Sequence, residues 1–230
     1  MAQEYSNITK YTILGERCSG TNYLKNMIES NFYLKSTPFY KPHKHFYAFH
    51  EYTHSPDTLH ILIYRDAYEW INSLRKNPWC IPDELKKSDN AFLNNEFYSV
   101  ETNNGEFGVA NGSEILIDRN PFTKARYHNI FMMRQVKIKF ALDVISRKVK
   151  NFIAIKYEDL RDNHVKVLNQ ICDKFNLKTK PRFPHKILFY KNKTYLKFKK
   201  DTKYVIPKSA IIKHLNYDRR FEESLGYPVD

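Results

Sequence analysis

Residues 11–29 (Tyr11-Thr-Ile-Leu-Gly15-Glu-Arg17-Cys18-Ser19-Gly20-Thr21-Asn22-Tyr-Leu-Lys-Asn-Met-Ile-Glu29) constrain this chain more than any other stretch. A short apolar run ends in a glycine, a tight polar loop follows, and Leu24, Met27 and Ile28 then recur at helical spacing. Strand, loop and helix in that order make an anion site, because the loop's N–H groups and the positive end of the helix dipole converge on one point. Gly15 and Gly20 keep the four-residue gap of a Walker A loop, yet Thr21 and Asn22 stand where that loop carries Lys and Ser or Thr. The spacing is that of a phosphate cradle, and the side chains speak against an ordinary ATPase.

The same alternation continues downstream. Residues 11–14, Leu59-His-Ile-Leu-Ile-Tyr64 and Asn151-Phe-Ile-Ala-Ile-Lys156 read as buried strands, with a short strand between Phe32 and Ser36. Near-continuous apolar runs of this kind suit parallel strands covered on both faces. Helical spacing predicts helices over 21–31, from Arg65 until Pro78 stops the chain, from Pro121 to about Lys148, and from Tyr157 to about Phe175. Residues 77–121 break the pattern with Asn103-Asn-Gly105 and Asn111-Gly112 turns, and read as an irregular insertion, either a substrate lid or a disordered loop. The expectation is an α/β fold, a three-layer sandwich with a central parallel sheet in one domain spanning 1–230. Its ligand belongs at the carboxyl ends of the strands.

Two strand ends carry anion-binding groups. One is the Gly15–Asn22 loop. The other is Arg65, which can clamp a phosphate bidentately, with Ser73 eight residues on as a hydroxyl donor. On the helix after Pro121, Lys137 lies in the middle of the apolar stripe of Ile130, Met133, Phe140, Ala141 and Val144, and Arg134 borders it. A cation on a packed face is costly without an anion. These two either snorkel past the core edge or point toward a bound ligand.

Composition narrows the partners. A net charge of +13, with much of the lysine in the C-terminal third, fits nucleic acid, a polyanionic ligand or a solvated basic surface. Cys18, Cys80 and Cys172 are odd in number and far apart, as expected of reduced thiols in the cytoplasm rather than a disulfide framework or zinc site. The N-terminus lacks the character of a signal peptide, and no apolar stretch approaches the roughly 20 residues that cross a bilayer.

Three features in order resemble the sulfotransferases that use 3′-phosphoadenosine 5′-phosphosulfate (PAPS): Ser19-Gly20-Thr21 in the glycine loop, Arg65 and Ser73 after a buried strand, and Tyr157-Glu-Asp-Leu160. The wider pattern of Gly-Glu-Arg-x-Ser-Gly-Thr-Asn, Lys44-His45, Arg65-Asp-x-Tyr-x-Trp and Arg134-x-x-Lys137 resembles a divergent branch of that family. The resemblance implies a P-loop NTPase-like sulfotransferase fold with PAPS as co-substrate and no metal. Arg17, Cys18, Ser19, Gly20, Thr21 and Asn22 would then cradle the phosphosulfate. Arg65 and Ser73 would hold the 3′-phosphate. Many members carry Lys or Arg immediately before Ser-Gly-Thr to stabilise the leaving oxygen. Cys18 stands there in this chain, so the charge falls to Arg17, Lys44, Arg134 or Lys137. The glycine-rich C-terminal nucleotide loop is also missing, with the basic segment 191–208 a candidate replacement.

Sulfuryl transfer needs an acceptor in line with sulfur, a base and cations where charge develops. His45, whose ordinary pKa lies near neutrality, is the expected base, with Lys44 and Arg17 as catalytic cations. His43, His45, His50 and His54 lack strict metal-ligand spacing, and Glu158 and Asp159 read as caps of the following helix. The acceptor is a small molecule or glycan carrying a hydroxyl or amine, with no membrane partner. Two other classes stay open. One is a non-catalytic binder of nucleotide or polyanion, using interleaved lysines and aromatics such as Phe189, Tyr190, Tyr195, Phe198 and Tyr204. The other is a P-loop kinase or NTPase, which would need a loop lysine and an acid where the second strand ends in Arg65.

Overall fold

A computed structural model describes residues 6–37, 44–46, 55–190, 196–197 and 205–228. In chain order its elements are β1 (Lys10–Leu14), α1 (Thr21–Asn31), β2 (Lys35–Ser36), β3 (Thr58–Tyr64), α2 (Ala67–Lys76), α3 (Asp83–Lys86), α4 (Asp89–Asn94), α5 (Ile130–Lys139), α6 (Ser146–Lys148), β4 (Asn151–Lys156), α7 (Tyr157–Asp162), α8 (His164–Phe175), β5 (Phe189–Tyr190), β6 (Leu196–Lys197), α9 (Lys208–Ile212) and α10 (Arg219–Ser224). Four strands form one parallel sheet in the order β2-β1-β3-β4. Leu14 sits beside Leu62, and Leu62 beside Ala154, so β1, β3 and β4 end close together.

Period-two alternation splits the strands between two cores. Tyr11, Ile13, Leu59, Ile61, Ile63, Ile153 and Ile155 pack with α1 and α8 on one face. Leu14 and Leu62 pack on the other face with Ile138, Ala141 and Ile145, and with Phe221 of α10 and Leu225 just after it. Tyr23, Leu24, Met27 and Ile28 of α1 and Val167, Leu168, Ile171 and Phe175 of α8 face inward, which is why these helices close on the sheet. Because α1 leaves β1 toward β2 and α2 leaves β3 toward β4, the connections diverge between β1 and β3. Open α/β sheets bind ligands at that kind of switch point.

Three expectations need correction. The helix expected from Pro121 begins at Ile130, capped by the Asn129 carboxamide, which accepts the Met132 N–H at 2.9 Å. It then widens into a π-helix over Phe140–Ile145. The widening turns Ile145 inward and leaves Val144 half-exposed. The segment 77–121 is ordered, not a disordered loop. It contains α3, α4 and a hairpin-like loop, in which Gly112 N–H donates to Glu101 O and Glu101 N–H to Ser113 O. Its Cys80 and Ile115 pack on Phe46, and its Ile81, Leu85, Phe92 and Phe97 pack on α2 and α5. Glu158 caps no helix and has a different task, described below.

Among the described residues, no helix is long and apolar enough to cross a membrane, and no group of three His, Cys, Asp or Glu side chains is placed to hold a metal. Cys18, Cys80 and Cys172 form no disulfide. His43, His50 and His54 lie outside the described residues, as do Tyr195, Phe198, Tyr204 and most of the basic segment 191–208.

Candidate anion site at the ends of β1 and β3

The loop between β1 and α1 is shaped by close approaches on both sides. A Cβ at Gly15 would stand 2.6 Å from the Ile63 carbonyl oxygen, so the chain passes directly over β3 only with glycine there. Gly20 has φ 95° and abuts the Tyr157 ring, which a Cβ would overlap. Between them Ser19 Oγ donates to Glu16 O at 2.6 Å and Ser19 N–H donates to the same oxygen at 3.1 Å, closing a tight turn. Cys18 at the apex takes φ 62°, a left-handed conformation that is uncommon for a residue with a side chain. Gly20 caps α1 without a side-chain acceptor, so Thr21 and Asn22 open the helix with the positive end of its dipole toward the loop.

The end of β3 meets this loop. Arg65 Nη1 donates to Cys18 O at 3.3 Å, and its guanidinium lies 4.9 Å from the Tyr157 ring centre. The Ser73 side chain lies beside the Cys18 thiol and favours its thiolate, and Cys18 Sγ lies 3.9 Å from Asn77 O. Burial pushes the Cys18 thiol up, only partly offset by Ser73 and the neighbouring arginines. The two groups read from the sequence as separate anion binders are therefore one constellation. Arg65 is also held by Glu69, whose Oε2 accepts from its Nη2 at 3.1 Å and from Arg161 Nη1 at 3.3 Å.

The cations do not all gather at the mouth. Arg17 and Lys137 turn inward, correcting the expectation that they face a ligand. Arg17, 2% exposed, donates Nη2 to Asp118 at 3.3 Å, Nε to Glu16 at 3.4 Å and Nη1 to the Trp79 and Cys80 carbonyls. Burial disfavours its charge, and Glu16 and Asp118 more than restore it, leaving its pKa raised. Lys137, fully buried, donates Nζ to Glu16, to Asp118 at 2.6 Å and to His45 O at 2.7 Å. Two acids and two bases thus form a closed quartet that bolts the first half of the loop to the insertion and to α5.

Arg134 is likewise internal. Its Nε and Nη2 reach the two Glu222 oxygens at 2.8 Å each, a bidentate pair that outweighs burial and raises the arginine's pKa. Lys44 alone of the four proposed cations stands at the loop mouth. Its Nζ donates to Asn22 Oδ1 at 2.6 Å, in the first turn of α1. Burial, and then the charge of Lys25, bring it down to about 8.

His45, 6% exposed, lies beside the loop with Nδ1 2.6 Å from Gly15 O and its ring edge-on to Trp79. A carbonyl only accepts, so Nδ1 carries the proton and Nε2 is the basic nitrogen of the neutral ring.

Sequence reasoning missed the acids. A lysine on an apolar stripe announces that a buried carboxylate exists but cannot say where, and Asp118 and Glu222 come from elements far along the chain. Glu158 was misassigned. It accepts the Asp66 N–H at 3.1 Å and the Tyr227 hydroxyl at 2.8 Å, tying the exit of β4 to the exit of β3 and to the chain's last described residues. Burial raises its pKa. Comparison of the chain with protein-family models, with curated proteins and with solved structures finds no match.

Proposed function

We propose that this chain moves a sulfuryl group from PAPS to a hydroxyl or amine acceptor by in-line displacement on a P-loop-like sulfotransferase fold. The observation that carries the reading is the meeting of two strand ends. The Gly15–Gly20 loop and the Arg65–Ser73 pair share Cys18 as a common neighbour, at the switch point of a parallel sheet. Two adjacent anion sites suit a ligand with phosphate-like groups at both ends. A loop with Thr21 and Asn22 in place of Lys and Ser/Thr suits one that needs no nucleotide-bound metal.

In this reading the N–H groups at the start of α1 and Lys44 receive the phosphosulfate, and Arg65 and Ser73 receive the 3′-phosphate. The acceptor oxygen or nitrogen attacks sulfur while the bond from sulfur to the 5′-phosphate oxygen breaks, and adenosine 3′,5′-bisphosphate departs. Lys44 takes over the role left open by Cys18, stabilising charge on the leaving oxygen. His45, oriented by Gly15 O, takes the acceptor's proton at Nε2.

The inward turn of Arg17, Arg134 and Lys137 favours one competing reading, a nucleotide binder without turnover. Titration calorimetry with adenosine 3′,5′-bisphosphate and with ATP–Mg separates the classes, and transfer of labelled sulfate from PAPS to a panel of glycans and phenols separates enzyme from binder. Wild type is expected to bind the bisphosphate, Arg65→Ala to lose it, and His45→Ala to bind but not turn over. Binding of ATP–Mg without the bisphosphate would refute the proposal.

A further inference from the structure

The outer face of α1 leads away from the loop mouth along a stripe of polar and basic groups. Asn22, Asn26 and Ser30 recur every four residues with Lys25 and Glu29 beside them, so they lie on one face of α1, and Tyr33 follows just past its C-terminal end. At about 1.5 Å per residue the helical part of the stripe, Asn22 to Ser30, runs roughly 12 Å from the mouth. Its top holds Lys44 on Asn22.

Alongside it lies the segment after α8. The backbone of that segment is fixed to the end of α1: Tyr33 N–H donates to Lys178 O at 3.2 Å, Lys180 N–H to Asn31 O at 2.8 Å, and the Asn31 carboxamide holds both the N–H and the carbonyl of His185. Between the two runs a groove of about 500 Å³, lined by Asn26, Glu29, Ser30 and residues 185–188.

Charge along this track is one-sided. No Asp or Glu occurs from Lys174 to Lys200. Lys178, Arg182 and Lys186 are exposed, and Lys178 and Lys180 flank the half-exposed Tyr33 ring at 5.4 and 5.7 Å. Glu29 is the acid in the groove, and it is already engaged by the Tyr11 hydroxyl at 2.8 Å and by Lys25 at 3.9 Å. Lys25 helps lower Lys44, and Lys186 and His185 help lower His164, so like charges crowd at the mouth and again where His185 and Lys186 line the groove.

We propose that this track is the docking surface for a linear acidic polysaccharide, which lies along α1 with one end at the loop mouth and is the acceptor. The inference rests on the sulfuryl-transfer reading and names its substrate class. A polysaccharide fits better than single-stranded nucleic acid. The latter binds by stacking successive bases on aromatic rings, whereas the groove beside α1 is lined mainly by polar and charged side chains. Asn26, Ser30 and His185 offer the hydrogen bonds that sugar hydroxyls use.

The test compares fluorescence-labelled heparin dodecasaccharide with an oligo-dT of equal charge, at several salt concentrations. Wild type is expected to bind the saccharide more tightly than the oligonucleotide. Lys178→Glu/Arg182→Glu/Lys186→Glu should weaken it by about tenfold or more and flatten the salt dependence. Lys87→Glu/Arg147→Glu/Lys148→Glu, with the same change in net charge away from the track, should cost much less. Tyr33→Ala adds a variant that keeps every cation and is expected to weaken saccharide binding. Both charge variants should bind adenosine 3′,5′-bisphosphate as wild type does. Equal losses in the two triple variants, no saccharide binding by wild type, or tighter binding of the oligonucleotide would overturn the proposal. Loss of bisphosphate binding by wild type would instead refute the sulfuryl-transfer reading beneath it.

Discussion

Replacing Lys137 with methionine removes one positive charge from a site that water does not reach. Lys137 is fully buried, and its Nζ is held by Glu16, Asp118 and the His45 carbonyl. With Arg17 the quartet is neutral in sum. Methionine fills the volume of the stem but leaves two carboxylates facing one guanidinium. Breaking a buried charge pair from one side costs about 3–5 kcal/mol. That is a large part of the ~5–15 kcal/mol that holds a typical domain folded. For a chain of this length it corresponds to a melting point lower by roughly 6–20 °C.

The stranded carboxylate should respond by binding a proton, so its folded-state pKa rises above the unfolded value. The folded variant then holds more protons than the unfolded chain between those two values, and its deficit shrinks toward pH 5 and grows toward pH 8. Urea denaturation of wild type, Lys137→Met and Asp118→Asn/Lys137→Met at pH 5 and pH 8 measures this. The double variant restores neutrality and should recover a substantial part of the loss. A single variant within about 1 kcal/mol of wild type, or a double variant no more stable than the single, would refute the reasoning.

Two further outcomes follow from the same geometry. Affinity for adenosine 3′,5′-bisphosphate should fall as pH rises through about 8, where Lys44 loses its charge, and Lys44→Gln should lower the affinity and flatten that dependence; calorimetry across pH 6.5–9.5 reads both. Gly20→Ala meets a positive φ and the Tyr157 ring together, and should destabilise by more than the ~1 kcal/mol of a strained backbone alone, seen in thermal melting as well as in weakened bisphosphate binding.

The sheet and its helices were legible because each is written locally. The run at 59–64 became β3 with one residue added, and 21–31 became α1 without change. Both signals come from periodicity over a few residues. The direction of a buried cation is not local. Lys137 is answered by Glu16, 121 positions away, and by Asp118, 19 away, and Arg134 by Glu222, 88 away. The spacing that placed Lys137 on an apolar stripe correctly announced a hidden anion, and attributed to a ligand what the chain supplies itself. The insertion was misread for a related reason. Its apolar residues are too scattered to form a periodic pattern, yet Ile81, Leu85, Phe92 and Phe97 all reach α2 and α5. Lys44 was legible as a cation near the loop, although only the fold distinguishes it from Arg17.

Glu158 joins Asp66 to Tyr227, and Glu222 holds Arg134, so the rear of the anion site is finished by residues that leave the ribosome long after the loop itself. The order of synthesis therefore separates two events. The residues of β1, α1 and β3 are all present once Tyr64 has been made, whereas the exits of β3 and β4 acquire their final partners only when the segment through Tyr227 arrives. Contacts over such sequence separations close slowly. A chain lacking that segment would keep the residues of β1, α1 and β3 but leave Arg134 without Glu222 and Glu158 without Tyr227, the contacts that close the rear of the loop.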